Sequence, residues 1–316
     1  MGWMRSALER VREFAYAERV SAPQGLLREP KVGLALGGGF ARGIAHLGVL
    51  HALDQNKVPI DCIVGTSAGA LAGLAFASGL PFDEVVRRAA AIKFGNFGQW
   101  RFSWMGLASN ERLEHYPEKF LGIQTFEELT YPLTIAATDL MTGEAVYYNS
   151  GPLGPPLRGS CAYPALFQPV EYQGRLLVDG FVAAAVPVEG ARKMGADVVI
   201  SVVLEAESLE KPRTVIDVIG RSFSIVRLQA DMAWEAKSEV VISPRVREFA
   251  WDDFLKTPLI VAAGEEAAIE ALPRIQEAIR RIAERLAAPV PLQRRRSTDL
   301  VQPAEHPGQV TGRTST

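Results

Sequence analysis

The residue best suited to chemistry in this sequence is a serine, set in Gly65-Thr66-Ser67-Ala68-Gly69. Small residues on both sides allow a sharp turn that holds a side chain up as a nucleophile, provided a strand enters the turn and a helix leaves it. The apolar run Asp61-Cys62-Ile63-Val64 reads as the strand end, and the Ala- and Leu-rich run over 70–78 as the helix. With 28 glycines in the chain the motif also arises by chance, so its companions decide its meaning.

A serine nucleophile needs a base. Of the four histidines, His46 and His51 fall on a helix predicted over about 41–55, where packing or surface roles suit them, and His306 falls in a polar tail. Only His115 is left as a third member, and its surroundings, Glu111 to Glu118, read as solvated. A Ser-Asp-His hydrolase of this type carries its histidine late in the ordered chain, and this sequence supplies none there. Carboxylates at strand ends are the alternative. Asp179 follows Arg175–Val178 and precedes Gly180, and Asp139 follows Leu133–Thr138. A carboxylate with an ordinary pKa near 4 is a weak base; beside a hydroxyl in a low-dielectric pocket it becomes serviceable. The residues alone leave both aspartates open.

A second glycine cluster, Gly37-Gly38-Gly39-Phe40-Ala41-Arg42-Gly43, follows a predicted strand and opens a helix. Read as a dinucleotide fingerprint from Gly37, it has Arg42 where the third glycine belongs; read from Gly38, it fails at Phe40. No acidic residue caps the second strand, and no Gly-Lys-Ser/Thr is present. The better reading is an oxyanion hole, with N–H groups of Gly38 and Gly39 facing the carbonyl that Ser67 attacks. Arg42 is expected to hold the loop shape or balance charge.

These loops need strands that carry them to one edge. Val32–Leu36 and Pro59–Val64 are predicted strands, each followed by a helix, which points to a mostly parallel sheet covered by helices. Further on, Leu133–Thr138 pairs with Ala145–Tyr148, residues 170–178 form a hairpin ending at Asp179, and Val198–Leu204 and Val240–Ile242 are strands. Helices are expected over 83–93, 188–194, 214–238 and 262–287, the last interrupted near Pro273. Loops are expected over 94–108 and 152–156.

At 316 residues, 48% apolar and 22% charged, the chain has ample capacity for a core. Its net charge of -2 gives no reason to expect a nucleic-acid partner. Cys62 and Cys161 read as buried free thiols. No secretory signal is expected in the N-terminal residues, and the uncharged stretch 62–82 holds too many turn residues for a membrane span. Residues 1–30 divide into an amphipathic helix (3–20) and a linker, 31–288 form the main domain, and 289–316 read as a disordered tail.

Over residues 31–270 the chain resembles the patatin-like phospholipases, and among them the bacterial proteins similar to the neuropathy target esterase catalytic domain. The likeness rests on the Gly37–Gly43 cluster, the Gly65–Gly69 turn and Asp179-Gly180, in that order. Ala137-Thr138-Asp139-Leu140 with Gly143, Ser160-Cys161-Ala162-Tyr163-Pro164 and Gly195-Ala196-Asp197 add to it. The resemblance implies a three-layer α/β/α fold with a mostly parallel central sheet. It further implies a Ser67–Asp179 dyad cleaving carboxyl esters of phospholipids or lysophospholipids, without metal or organic cofactor. Gly38, Gly39 and Phe40 would form the oxyanion hole, supported by Gly37, Arg42, Gly43, Gly65, Gly69 and Gly180, and Asp139 would be structural. A cytoplasmic protein with peripheral contact at the inner face of the membrane is expected, through the first helix and the aromatic segment Phe94–Trp104; no protein partner is indicated. Two departures stand out: Phe181 after Asp179-Gly180, where the family carries Gly or Ala, and Ala184-Ala185 where an Asn-Pro pair is common. They motivate an alternative, a weak or inactive member that binds lipid or regulates a partner.

Overall fold

The computed structural model describes residues 28–288 except 93, 205–210, 212–217, 224, 226–233 and 251. The expected helix over 3–20, the tail from 289 and most of the expected helix over 214–238 lie outside the described residues. In chain order the elements are β1 (Val32–Leu36), α1 (Ala45–Gln55), β2 (Cys62–Thr66), α2 (Ala68–Ala77), α3 (Phe82–Ala90), β3 (Gln99–Ser103), β4 (Gly106–Ser109), β5 (Leu133–Asp139) and β6 (Ala145–Tyr148). There follow α4 (Gly154–Ser160), β7 (Val170–Tyr172), β8 (Arg175–Asp179), α5 (Val188–Lys193), β9 (Val198–Val202), β10 (Val240–Ile242) and α6 (Thr257–Ala287).

One sheet runs in the order β10-β9-β1-β2-β5-β8-β7, with β6 also paired to β5. The five strands from β10 to β5 are parallel; β6, β7 and β8 join antiparallel. Strand residues alternate between the two faces. Leu34, Leu36, Ile63 and Ile200 pack with α1, α2 and α6 in the larger core, while Ala35, Val64 and Val199 pack with Val188 and Ala191 of α5 on the other side. The result is the expected three-layer α/β/α architecture. Continuous burial of β1, β2 and β9 explains why they read as unbroken apolar runs.

Four local expectations change. The first helix enters through a 3-10 turn at Phe40–Ile44 before α1 begins. The segment 94–108 is a short helical turn followed by the β3–β4 hairpin, whose bulge between Trp100 and Ser103 hides the period-two pattern. The segment 152–156 is already turning into α4, with prolines at its first helical positions, where a missing N–H costs nothing. Helix α6 runs unbroken through Pro273 from a start at Thr257. Proline removes one backbone bond there, but Ile260, Ala268, Ala271 and Ile275 are fully buried in the larger core and hold the helix on both sides. Both cysteines are free and buried, as expected.

Candidate active site

Ser67 sits at the junction of β2 and α2 with φ 54° and ψ −117°, a left-handed conformation that raises its side chain above the sheet edge. The turn is possible only because its flanking glycines lack side chains. A Cβ on Gly69 would collide with the Leu36 carbonyl of β1, and one on Gly65 would stand 2.5 Å from the Ala70 backbone. The Ser67 N–H donates to Ser160 Oγ at 2.8 Å, and the Ser160 hydroxyl donates to the Ala136 carbonyl at 2.6 Å. Ser160, on α4, thereby fixes the nucleophile's backbone. Sequence reasoning noted Ser160 but gave it no role, because the bond links residues 93 positions apart.

Strand β5 brings Asp179 to Ser67 by changing partner along its length. Ala136 is the register partner of Thr66 on β2, and the next residue, Ala137, is the partner of Asp179 on β8. The ends of β2 and β8 therefore meet. Gly180 completes the approach, since a Cβ there would strike the Ala136 carbonyl. The Ser67 hydroxyl donates to Asp179 Oδ2 at 2.8 Å, and the Phe181 N–H donates to Oδ1 at 2.9 Å. The Asp179 backbone is pinned by its N–H to the Ala162 carbonyl and by the Thr138 hydroxyl to its own carbonyl, both at 2.9 Å.

Asp179 is 2% exposed. Burial raises its pKa to about 7, opposed by the hydrogen bonds from Phe181 and Ser67. Its rival Asp139 is also buried, but is locked elsewhere: Oδ1 accepts the Met141 N–H at 3.0 Å and Oδ2 pairs with Arg175 at 2.7 Å. The Met141 and Arg175 bonds hold it below the usual carboxylate range against the opposing effect of burial. Asp139 is committed to Met141 and Arg175 rather than to Ser67.

The glycine loop lies against the elbow. A Cβ on Gly38 would stand 3.6 Å from Ser67 Cβ, and one on Gly43 would collide with Ala68. Gly37 donates its N–H to the Val202 carbonyl at 3.0 Å, so it anchors the loop to β9. The Gly38 N–H donates to the Ala185 carbonyl at 3.2 Å, and Gly39 packs where any side chain would meet Leu204. Phe40, at φ 51°, turns its ring edge-on to Tyr163, 5.1 Å between centroids. Arg42 is half-buried in the 3-10 turn. His46, expected to serve only packing or the surface, bonds through Nε2 to the Gly37 carbonyl at 2.7 Å. That oxygen can only accept, so Nε2 carries the proton. Complete burial lowers its pKa to about 4 and keeps the ring neutral. His51 pairs with Glu265 and stacks on Phe82, and His115 is exposed in a 3-10 turn, so neither serves the serine.

Behind the serine opens a cavity that is connected to solvent. Its walls are almost wholly apolar, with Leu71 and Ala75 from α2, Val85 and Ala89 from α3, and Phe97 and Phe254 among them. Ser67 and Asp179 also line it. Phe181 is not among the lining residues; its ring lies over Gly38 and 6.4 Å from Phe223, so it leaves the cavity open and the Asp179 turn intact. Ala184 and Ala185 use their carbonyls, accepting from the Thr66 hydroxyl at 2.7 Å and from Gly38. Among the described residues no cluster of three His, Cys, Asp or Glu side chains is placed to hold a metal ion, and no helix is long and apolar enough to cross a membrane.

Such a site can activate a hydroxyl by proton transfer to a buried carboxylate, next to a slot for an apolar chain. The profile of the family described as Patatin-like phospholipase matches residues 34–192. An uncharacterized NTE family protein of Mycobacterium tuberculosis is 35% identical over 178 residues, 55% of this chain and 49% of the relative. The lysophospholipase nte1 of Emericella nidulans is 28% identical over 69% of this chain and 14% of its own length. The chain thus spans about half the length of the mycobacterial relative and far less of the fungal one. Among solved structures, VipD from Legionella pneumophila superposes with a TM-score of 0.47 and 13% identity, over 79% of this chain and 67% of VipD.

Proposed function

The chain belongs to the patatin-like phospholipase family, and from that premise we propose that it hydrolyses carboxyl esters of lipids through Ser67 and Asp179. The observation that carries the proposal is the 2.8 Å bond from the Ser67 hydroxyl to a buried carboxylate at an apolar cavity. Substrates of phospholipid or lysophospholipid type would place one acyl chain in the cavity and the ester at Ser67.

In the first half-reaction Ser67 Oγ attacks the ester carbonyl carbon while its proton passes to Asp179 Oδ2. The carbonyl oxygen becomes an oxyanion, stabilised by backbone N–H groups of the Gly38–Phe40 loop. With the Gly38 N–H directed at the Ala185 carbonyl, Gly39 and Phe40 are assigned the larger share. Collapse of the oxyanion breaks the bond to the alcohol oxygen, which takes the proton from Asp179. Water then attacks the acyl-enzyme, giving a proton to Asp179, and that proton returns to Ser67 as the fatty acid leaves. A pKa near 7 suits both directions, because a base and an acid in one group work best near the ambient pH.

The test is hydrolysis of a p-nitrophenyl ester series with the parent, Ser67→Ala and Asp179→Asn, together with mass analysis after a fluorophosphonate probe. Turnover and one adduct on Ser67 are expected in the parent, with turnover lost in both variants. Equal rates in all three would reject the dyad. A folded parent without turnover or adduct would favour the lipid-binding or regulatory alternative. The expected location, at the inner face of a membrane, is proposed on the same grounds as the substrate.

A further inference from the structure

Large apolar side chains are conspicuously exposed on both sides of the cavity rim. Phe97 and Phe254 line the cavity and meet at 5.9 Å between ring centroids. Just beyond Phe97 the β3–β4 hairpin turns at Trp104 and Met105, the two residues between the paired Ser103 and Gly106. Trp104 is fully exposed and Met105 56% exposed; Trp100, on the strand leading there, is 62% exposed. Beyond Phe254, Leu255 is 89% and Leu259 61% exposed. The hairpin is tied down at its base. Ala108 exchanges hydrogen bonds with Leu166 and Gln168, flanking Phe167, which also lines the cavity. A fixed hairpin that ends in Trp-Met leaves the whole of Trp104 and more than half of Met105 in solvent at its tip.

From this we infer that the Trp104–Met105 tip and the Leu255–Leu259 turn form a docking surface that inserts into the surface of a lipid aggregate. The choice of occupant rests on the lipid-ester reading of the site. It draws independent support from continuity: Leu255 follows Phe254 of the rim, and Gly106, next to Met105, lies against the backbone of Phe167 and Gln168, Phe167 being a cavity residue, so an acyl chain leaving a lipid layer would pass along apolar surface into the cavity. Tryptophan suits such a boundary because its ring is apolar and its N–H is polar. The cations beside the patch are balanced by carboxylates. Arg101 faces Glu111 at 3.7 Å, and Lys256 pairs with Asp253 at 2.8 Å. Attachment therefore comes from apolar insertion and is expected on uncharged or zwitterionic lipid, with weak dependence on salt.

The test uses the full chain carrying Ser67→Ala, so that binding is read without hydrolysis, and sedimentation with phosphatidylcholine vesicles. Partition is expected to fall roughly tenfold or more in Trp104→Ser/Met105→Ser and in Leu255→Ser/Leu259→Ser, since each removes large apolar side chains from the lipid. Little change is expected when salt is raised, and tryptophan emission should shift to the blue on binding, less so in Trp104→Ser, since the chain has five tryptophans. Trp104 and Leu255 have little packing to lose, Met105 and Leu259 some, and circular dichroism with the melting temperature checks that folding is kept. The single variant Trp104→Ser is the fallback should either pair misfold. Unchanged partition in folded variants, or absence of binding by the Ser67→Ala chain, would overturn the inference. So would a dimer that the same substitutions dissociate without any vesicle binding, because it would assign the patch to a second copy. With serine 67 restored, turnover of a soluble p-nitrophenyl ester reports on the dyad separately.

Discussion

Replacing Asp179 by Asn should stabilise the folded protein while disabling it, and the gain should grow with pH. In an unfolded chain the carboxyl titrates near 3.9; in the folded site burial raises this to about 7. Between those values the folded state binds more protons than the unfolded one, so stability falls as pH rises from about 4 to about 7 and then levels off. At about 1.4 kcal/mol per unit, the ceiling on this cost is about 4 kcal/mol at pH 8 and roughly 1 to 2 kcal/mol at pH 5. Asparagine removes the charge at nearly constant shape. Its carbonyl oxygen keeps the bond from Phe181, and its NH₂ donates to Ser67 once the serine O–H rotates away. Urea denaturation of parent and variant at both pH values reads the difference directly. His46 titrates in the same window with the opposite sign, since its folded value of about 4 lies below the unfolded one near 6.5, and its contribution is lost on acidification. The two effects offset each other in the parent but cancel from the variant-minus-parent difference. Turnover in the variant should drop by about 10²–10⁴-fold, and that of the parent should rise with pH through a midpoint near 7. An Asn variant that is no more stable than the parent at pH 8, or whose advantage is the same at pH 5, would refute a buried charge at Asp179.

Ser160→Ala should leave the Ser67 N–H and the Ala136 carbonyl without their shared partner. A stability loss of about 1–3 kcal/mol in urea melts is expected, with lower kcat and little change in KM. His46→Ala should free the Gly37 carbonyl and open a hole under the glycine loop; the measurement is a slower rate of fluorophosphonate labelling at Ser67 with the serine still present. Ala75→Phe, in the cavity wall two turns from Ser67, should shift preference toward shorter acyl esters, seen as a steeper fall of kcat/KM along a p-nitrophenyl ester series.

Much of the site is legible in the chain because it is built from local turns. The elbow at Ser67 and the loop at Gly37–Gly43 each follow a buried strand and precede a helical segment, and their glycines mark the points where backbones touch. The hairpin ending at Asp179 is equally local. The bulged β3–β4 hairpin and the unbroken passage of α6 through Pro273 were less readable. In the first an irregular register masks the alternation, and in the second packing overrides a local penalty. Ser160 and His46 gave no local signal, since each acts on a residue reached only through the fold.

What the amino-acid order determined by itself was the candidate nucleophile, the absence of a suitably placed histidine and the strand-end position of two aspartates. Which aspartate lies beside Ser67 was left open by the residues themselves and is a matter of the tertiary structure. Register along β5 sets Asp179 beside the end of β2 and leaves Asp139 to Arg175. The pKa of Asp179, the neutral state of His46 and the shape of the cavity likewise arise from burial by distant segments. Hydrophobic period and turn chemistry act over a few residues, whereas strand partnership and desolvation are properties of the assembled sheet.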